Sequence, residues 1–311
     1  EIGIKNLTNL RIKFDADILI QNLNINTVKK ITKFTLSEFG NIYWPIIAGQ
    51  TVYPVQMAIK YEIPLIIWGA HQGLEQVGMF SHLHNVEMSR RYREDHDLFG
   101  NDAREMKNIK SNLSENDIFN YLYPDDKLIN KIGVRGIYLG NYIKWDPTKQ
   151  HNLMVKKFNY RTMKFKRTFD VFDHVDCFNY MNVHDILKLN KHGYSKVTDH
   201  ACREIRHGRL TKNNAIDLVN YYEKQKIEPP KHLADWLNID LKSLNFILNQ
   251  FKNKKFWKQK NIDNRKFNGL NDNQIKNTSP ENKKEITKYF KSKNKYSDIL
   301  DSKYIVFGKG I

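Results

Sequence analysis

The chain has 311 residues, room for one large domain or two ordinary ones, and its apolar content is that of a packed protein, which excludes a disordered chain. No apolar run approaches the roughly 18–20 residues that span a bilayer, no basic-then-apolar leader opens the sequence, and two cysteines build no disulfide framework, so a cytoplasmic protein is expected. The formal net charge of +17 rests mostly on lysine, which reads first as solvated surface and second as attraction for an anionic partner: a nucleotide-linked sugar or ATP as readily as nucleic acid.

The spacing of Ile4, Leu7, Leu10 and Ile12 predicts an amphipathic helix over Ile2 to Phe14. Asp17 to Ile20 reads as a short buried strand. Thr27, as an N-cap, and Gly40, as a stop, bound a second helix to about Glu38. Tyr53 to Tyr61 reads as a third, with Pro54 in its first turn and Thr51 just before it. Pro64 to Gly69 is a continuous apolar run ended by glycine, the pattern of a parallel strand buried on both faces. Ligands in open α/β sheets sit beyond the carboxyl ends of strands, so Gly69 to Gly78, with His71 and Glu75, is the first candidate site.

Ser81 to Asn120 is polar, and Arg90 to Asp97 is read as a solvated, mixed-charge face. Gly136 to Gly140 is a further short strand. From about Lys164 helical signals dominate: Thr198 to His207 before Gly208, a helix capped by Thr211, then His232 to Leu237 and Leu241 to Phe251. The stretch after Phe251 is basic and expected to be weakly ordered, with a short strand at Tyr304 to Phe307. The expected organisation is therefore residues 1–163 as a nucleotide-binding domain, 164–251 as a helical substrate-side region and 252–311 as a basic tail.

Asp199, Cys202, Arg203 and Arg206 recur at i, i+3, i+4 and i+7, which puts a carboxylate and two guanidiniums on one helix face suited to a phosphate or sugar carboxylate. Asp170, Asp173 and Asp176 precede them, with His174 and Cys177 interleaved, as candidate bases or Mg²⁺ ligands. His174-x-x-Cys177 and His200-x-Cys202 supply zinc-type ligands at irregular spacing, and no metal site is assigned to them. Two helix pairs, Cys202 to Tyr222 and His232 to Phe251, admit a DNA-binding helix-turn-helix as an alternative.

Three segments carry a family resemblance: Pro64 to Gly69 with Glu75 and Gly78; Gly136-Ile137-Tyr138-Leu139-Gly140-Asn141-Tyr142-Ile143-Lys144-Trp145-Asp146; and Lys196-Val197-Thr198-Asp199-His200-Ala201-Cys202-Arg203-Glu204-Ile205-Arg206 with Gly208 to Thr211, Ala215 and Ile216. In this order they resemble the N-acetyl sugar amidotransferases of lipopolysaccharide and flagellin-sugar biosynthesis, the pseudaminic and legionaminic acid enzymes among them. These belong to the PP-loop ATP pyrophosphatases. The resemblance implies an α/β fold: a Rossmann-like, adenine-nucleotide α-hydrolase-like parallel sheet followed by a helical C-terminal region. It implies ATP and Mg²⁺ as cofactors, a nucleotide-linked or free N-acetyl sugar as substrate, and in some members a glutaminase subunit that supplies ammonia.

Carried onto this chain, it implies Thr51, Gly69 and His71 at the nucleotide, Glu75 and Asp199 as catalytic groups, and Arg203, Arg206, Asp173 and Asp176 toward the sugar. The family's Ser-Gly-Gly-x-Asp-Ser loop is missing from the 311 residues, as is its N-terminal cysteine cluster. The expectation is accordingly an incomplete sheet and a fragment, weakly stable through its exposed strand edges and inactive by itself. A PP-loop tRNA-modifying enzyme is the other enzymatic alternative.

Overall fold

The computed structural model describes residues 2–69, 87–88, 93, 97–98, 100–108, 112–141, 146–173, 175–227, 230–258 and 266–267. These form two compact units, one from Glu1–Tyr43 and Asp146–Leu270, the other built on Trp44–Trp145. The described chain is mostly helical, with one two-stranded parallel sheet, an α/β composition.

The first unit opens with α1 (Ile2–Phe14) and α2 (Ile25–Phe39). Asp17 to Ile20, expected as a strand, is irregular and unpaired in any sheet, with Leu19 and Ile20 exposed. The cap of α2 is Asn24 rather than Thr27: its side chain accepts hydrogen bonds from the amides of Asn26 and Thr27. Gly40 ends the helix at φ +56°, where a Cβ would lie 2.7 Å from Lys191 and 2.8 Å from Phe251, so both the backbone angle and the space require glycine.

The second unit starts with α3 (Trp44–Lys60). This helix is longer than expected and places Pro54 in its interior. Trp44, Ala48, Val52 and Val55 recur at helical spacing and are all buried, and that packing outweighs the amide Pro54 cannot donate. After β1 (Leu65–Trp68) come α4 (Ala103–Asn108), α5 (Glu115–Ile118), α6 (Asp126–Ile132) and β2 (Arg135–Tyr138). β1 and β2 pair in parallel with Leu65 opposite Arg135 and Trp68 opposite Tyr138. Contrary to the doubly buried strand expected, Leu65 and Ile67 remain 46% and 60% exposed, because β1 is covered on one face only.

The mixed-charge segment is likewise not all solvated. Arg93 is 1% exposed, donates from Nε to Thr51 Oγ1 at 2.8 Å, and lies over the Tyr123 ring. Asp97 beside it is pushed up to about 7 by burial, which the Arg93 charge only partly opposes.

The first unit resumes with α7 (Pro147–Phe158), α8 (Phe178–His192), α9 (Lys196–Arg206), α10 (Lys212–Glu223), α11 (Lys231–Leu237) and α12 (Leu241–Gln250), then a two-residue antiparallel pairing of β3 (Trp257–Lys258) with β4 (Lys266–Phe267). Thr211 caps α10 by accepting from the Asn214 amide, as its position predicts, and Asp240 caps α12 in the same way. Val197 and Ala201 of α9 pack on Ala215 and Val219 of α10, with Phe169, Leu210 and Tyr222 around them. Asn253 donates to the Asn190 carbonyl, so the chain after Phe251 begins docked on α8. Among the described residues no helix is long and apolar enough to cross a membrane.

Candidate functional site

α9 organises the site, and its sequence explains why. Lys196, His200, Arg203 and Glu204 recur at helical spacing beside Val197 and Ala201, so the helix carries an apolar stripe and a polar stripe that are both buried. Charged groups removed from water cost several kcal/mol each unless paired, so each must find a counter-charge. The loop from Thr168 to Asp173 supplies carboxylates to Arg203, His200 and Lys196; Arg209, itself held by Asp146 at the start of α7, answers Glu204; and Lys188 on α8 answers Asp199.

At one end of α9, Arg203 donates from Nη2 to Asp170 Oδ2 at 2.6 Å and from Nε to Glu204 Oε1 at 2.9 Å. Glu204 also accepts from Arg209 Nε and from Thr148 Oγ1, the latter at 3.2 Å. Arg209 Nη1 reaches Asp146 Oδ2 at 2.8 Å, and Asp146 caps α7 by accepting from the Lys149 amide. Burial pushes the Glu204 carboxyl up, but the Arg209 and Arg203 hydrogen bonds outweigh it and hold the group at about 2. Phe172 carries the Arg203 guanidinium 4.8 Å from its ring centroid and stacks with His151 at 3.9 Å.

At the other end, Asp173 Oδ2 lies 2.9 Å from His200 Nε2 and 3.4 Å from Lys196 Nζ. The Asp173 carboxylate can only accept, so His200 Nε2 is the donor in that bond; the other ring nitrogen, Nδ1, lies 2.6 Å from Thr168 Oγ1, which also accepts from the Asp170 amide at 3.2 Å. Asp199 Oδ2 pairs with Lys188 and stands 3.7 Å from Lys196. Burial works against the charge on both lysines. For Lys196 the carboxylates of Asp173 and Asp199 outweigh it and the pKa is raised; for Lys188 burial prevails and the pKa is lowered. Asp173, with 21% of its side chain exposed, is the most open of these acids, whereas Asp170 is fully enclosed.

Of the residues predicted from sequence, Asp199, Arg203 and Asp173 are brought together. Arg206 and Cys202, on the same helix, point outward and are exposed. Asp176 lies in a single 3₁₀ turn, Val175–Cys177, and its side chain is outside the described residues, as are His71 and Glu75. Thr51 and Gly69 belong to the other unit. Thr51 sits inside α3, its hydroxyl donating to backbone carbonyls one turn back and accepting from Arg93. Gly69 is exposed at the end of β1. Sequence reasoning gave no role to Lys188, Lys196, Glu204 and Arg209, and weighed His200 only as a zinc-type ligand. The polar stripe of α9 was the signal for three of them; Lys188 and Arg209 become visible only through their partners. Among the described residues no three of His, Cys, Asp and Glu come together as a metal site.

Residues 161–271 match the family model described as the C-terminal domain of LPS biosynthesis protein WbpG-like. No curated protein matches the chain. The matched segment contains all of α8 to α12 and the loop bearing Thr168, Asp170 and Asp173. The match links this segment to lipopolysaccharide biosynthesis.

Proposed function

We propose that the chain acts in an ATP-dependent amidotransferase reaction that converts an acetamido group of a surface-polysaccharide sugar into an acetamidino group. The carrying observation is the buried charge network on α9, lying within the segment similar to a lipopolysaccharide-biosynthesis domain and ending in one partly open carboxylate, Asp173. The chemistry replaces the amide oxygen with NH. An amide is a poor electrophile, so its oxygen must first become a leaving group, which bound ATP would supply by adenylating it with release of pyrophosphate. Ammonia would then form the new C–N bond, giving up its surplus protons as AMP leaves with the oxygen.

ATP, Mg²⁺ and a glutaminase partner enter this proposal through the family resemblance. Of the residues that the resemblance places at the nucleotide, Gly69 is exposed at the end of β1, Thr51 is held within α3, and His71 lies outside the described residues. The chain's own part is orientation. Lys196 and His200 hold Asp173 Oδ2, and the side chain keeps 21% of its surface exposed, so a sugar's acetamido N–H can approach this carboxylate. Lys188 and Lys196 fix Asp199 in the same way. Arg203 holds Asp170, and Asp170 Oδ1 in turn accepts from the amides of Phe172 and Asp173 at 2.9 and 2.7 Å, which sets the loop that aims Asp173.

The test is incubation of the chain with ATP, Mg²⁺, ammonia and a panel of nucleotide-linked N-acetyl sugars, read by mass spectrometry. A product in which O has become NH, formed with stoichiometric AMP and lost in Asp173→Asn, is the expected result. Saturation-transfer NMR with UDP-N-acetylglucosamine reads sugar-nucleotide binding separately from turnover. Neither product nor binding with any member of the panel would sink the reading.

A further inference from the structure

We infer that His151 is the proton acceptor of the site: the bare Nε2 of its ring takes the proton that the incoming ammonia nitrogen must lose. The inference rests on the amidotransfer reading above and adds a group to it. His151 is the fifth residue of α7 and is half-buried. Its Nδ1 lies 3.2 Å from the Pro147 carbonyl, one turn back along the same helix. A carbonyl only accepts, so Nδ1 is the donor in that bond and carries a proton. Nε2, on the far edge of the ring, meets no hydrogen-bond partner among the described residues. His200 is the contrast: its Nε2 donates to Asp173 and its Nδ1 lies against Thr168 Oγ1, so both nitrogens are engaged.

Packing fixes the ring beside the open carboxylate. It stacks on Phe172, with centroids 3.9 Å apart and planes inclined by 16°, and meets the Tyr160 ring edge-on at 5.2 Å. Phe172 precedes Asp173 in the loop and also carries the Arg203 guanidinium. Burial opposes a charge on His151 most, and Arg203 of α9 adds to that; the Pro147 hydrogen bond, Asp170 and Asp173 work the other way, and the pKa is lowered from the ordinary 6.5. At neutral pH the ring is therefore uncharged, with its lone pair on Nε2. The acids around it are committed: Asp173 to Lys196 and His200, Asp199 to Lys188, Asp170 to Arg203, while Glu204, at about 2, is too weak a base. The proton balance is then complete. Ammonia's lone pair forms the C–N bond at the activated acetamido carbon, which leaves the nitrogen with three hydrogens and a positive charge. Nε2 takes the first surplus proton. The electron pair this frees on nitrogen expels the oxygen, whose C–O bond breaks with its electrons, and the imidazolium returns its proton to water.

Nitrogen-15 NMR of the intact chain labelled at histidine tests the premise without substrate. The His151 signals, identified by their loss in His151→Phe, should show Nδ1 protonated and Nε2 bare at neutral pH. His151→Phe keeps a ring on Phe172 but no nitrogen. It should bind UDP-N-acetylglucosamine as the wild type does in saturation-transfer NMR, and form amidino product about 10²–10⁴-fold more slowly. His151→Gln, which can accept a hydrogen bond but cannot hold a proton, should lose as much. Corrected for the free ammonia present, the wild-type rate should fall as the pH drops below the His151 pKa, and both variants should lack that limb. Four outcomes overturn the inference and leave the amidotransfer reading standing: a protonated Nε2 at neutral pH; product from His151→Phe within about threefold of the wild type; activity kept in His151→Gln, which would make the ring a hydrogen-bond acceptor only; or a loss of sugar-nucleotide binding that accounts for the loss of rate. No product from the wild type with any sugar of the panel removes the inference and the reading together.

Discussion

Replacing Asp170 with alanine isolates the hinge of the network on α9. Its carboxylate is fully enclosed and accepts three hydrogen bonds: Arg203 Nη2 at 2.6 Å on Oδ2, and the Phe172 and Asp173 amides at 2.9 and 2.7 Å on Oδ1. Asp170→Ala leaves a buried guanidinium with Glu204 alone and strands two amides. Breaking a buried pair on one side costs about 3–5 kcal/mol, and stranded amides add to that without summing fully. Asp170→Asn keeps an oxygen for the two amides and forfeits only the charge, so its cost should be about 1–3 kcal/mol. Arg203→Met added to Asp170→Ala removes the orphaned cation, so the double variant should be less destabilised than the two single losses summed. Urea unfolding followed by tryptophan fluorescence, with the denaturant slope unchanged, measures the wild type, the three single variants, Arg203→Met among them, and the double variant. A loss below about 1 kcal/mol for Asp170→Ala, or strict additivity in the double variant, would refute the claim that this pair holds the loop.

Glu204 is held at about 2, below the 4.5 of an ordinary glutamate, so its pairing stabilises the fold fully above the unfolded value and loses that effect as pH falls from about 4.5 toward 2. The stability gap between the wild type and Glu204→Gln should therefore be constant at neutral pH and close across that window, as read by urea midpoints at a series of pH values. Asp97 has the opposite sign: raised to about 7 from 3.8, it costs stability progressively as pH rises between those values. Asp97→Asn should accordingly raise the melting temperature above neutrality and leave it unchanged near pH 4. Gly193→Ala should destabilise by about 2–4 kcal/mol, since Gly193 sits at φ +75° and its Cβ would fall 2.5 Å from the Phe256 ring; a loss under about 0.5 kcal/mol by urea unfolding would count against the fit described. Asp173→Asn should abolish amidino product while the far-UV circular dichroism stays that of the wild type, with a stability loss of about 1–3 kcal/mol by urea unfolding because Lys196 and His200 lose a charged partner.

What could be read from the chain was whatever short-range chemistry decides. Gly40, Thr211 and the turn before Leu241 stop and start helices through contacts within a few residues, and they do so in the structure. The two strands around Ile66 and Ile137 were visible as apolar runs ending near glycine. Longer-range balances were not visible. Pro54 reads as a helix start because its missing amide is a local fact, while the buried stripe from Trp44 to Val55 that overrides it is a tertiary one. Asp17 to Ile20 has the composition of a strand but pairs with no strand among the described residues. In the site, spacing placed Asp199 and Arg203 on one face. It could not show that Lys196 and Lys188 would converge on Asp199, or that Asp170 would be closed off while Asp173 stayed open. Those outcomes depend on which loop a buried cation can reach.

The start of α9 has a further consequence. Ser195 stands at its N-cap position yet makes no cap of its own: its amide and hydroxyl both donate to Glu223 at the end of α10, at 3.1 and 2.7 Å. The amide of Lys196 is instead taken by Asp185 of α8 at 2.8 Å, and Asp185 is held by Arg167. The first turn of α9 is thus completed from three other places in the sequence. A helix so dependent on its neighbours gains little by forming early, and it should consolidate only when α8 and α10 have docked. The groups it assembles would then arise together in the last cooperative step of folding, leaving no partly folded species that displays half of them.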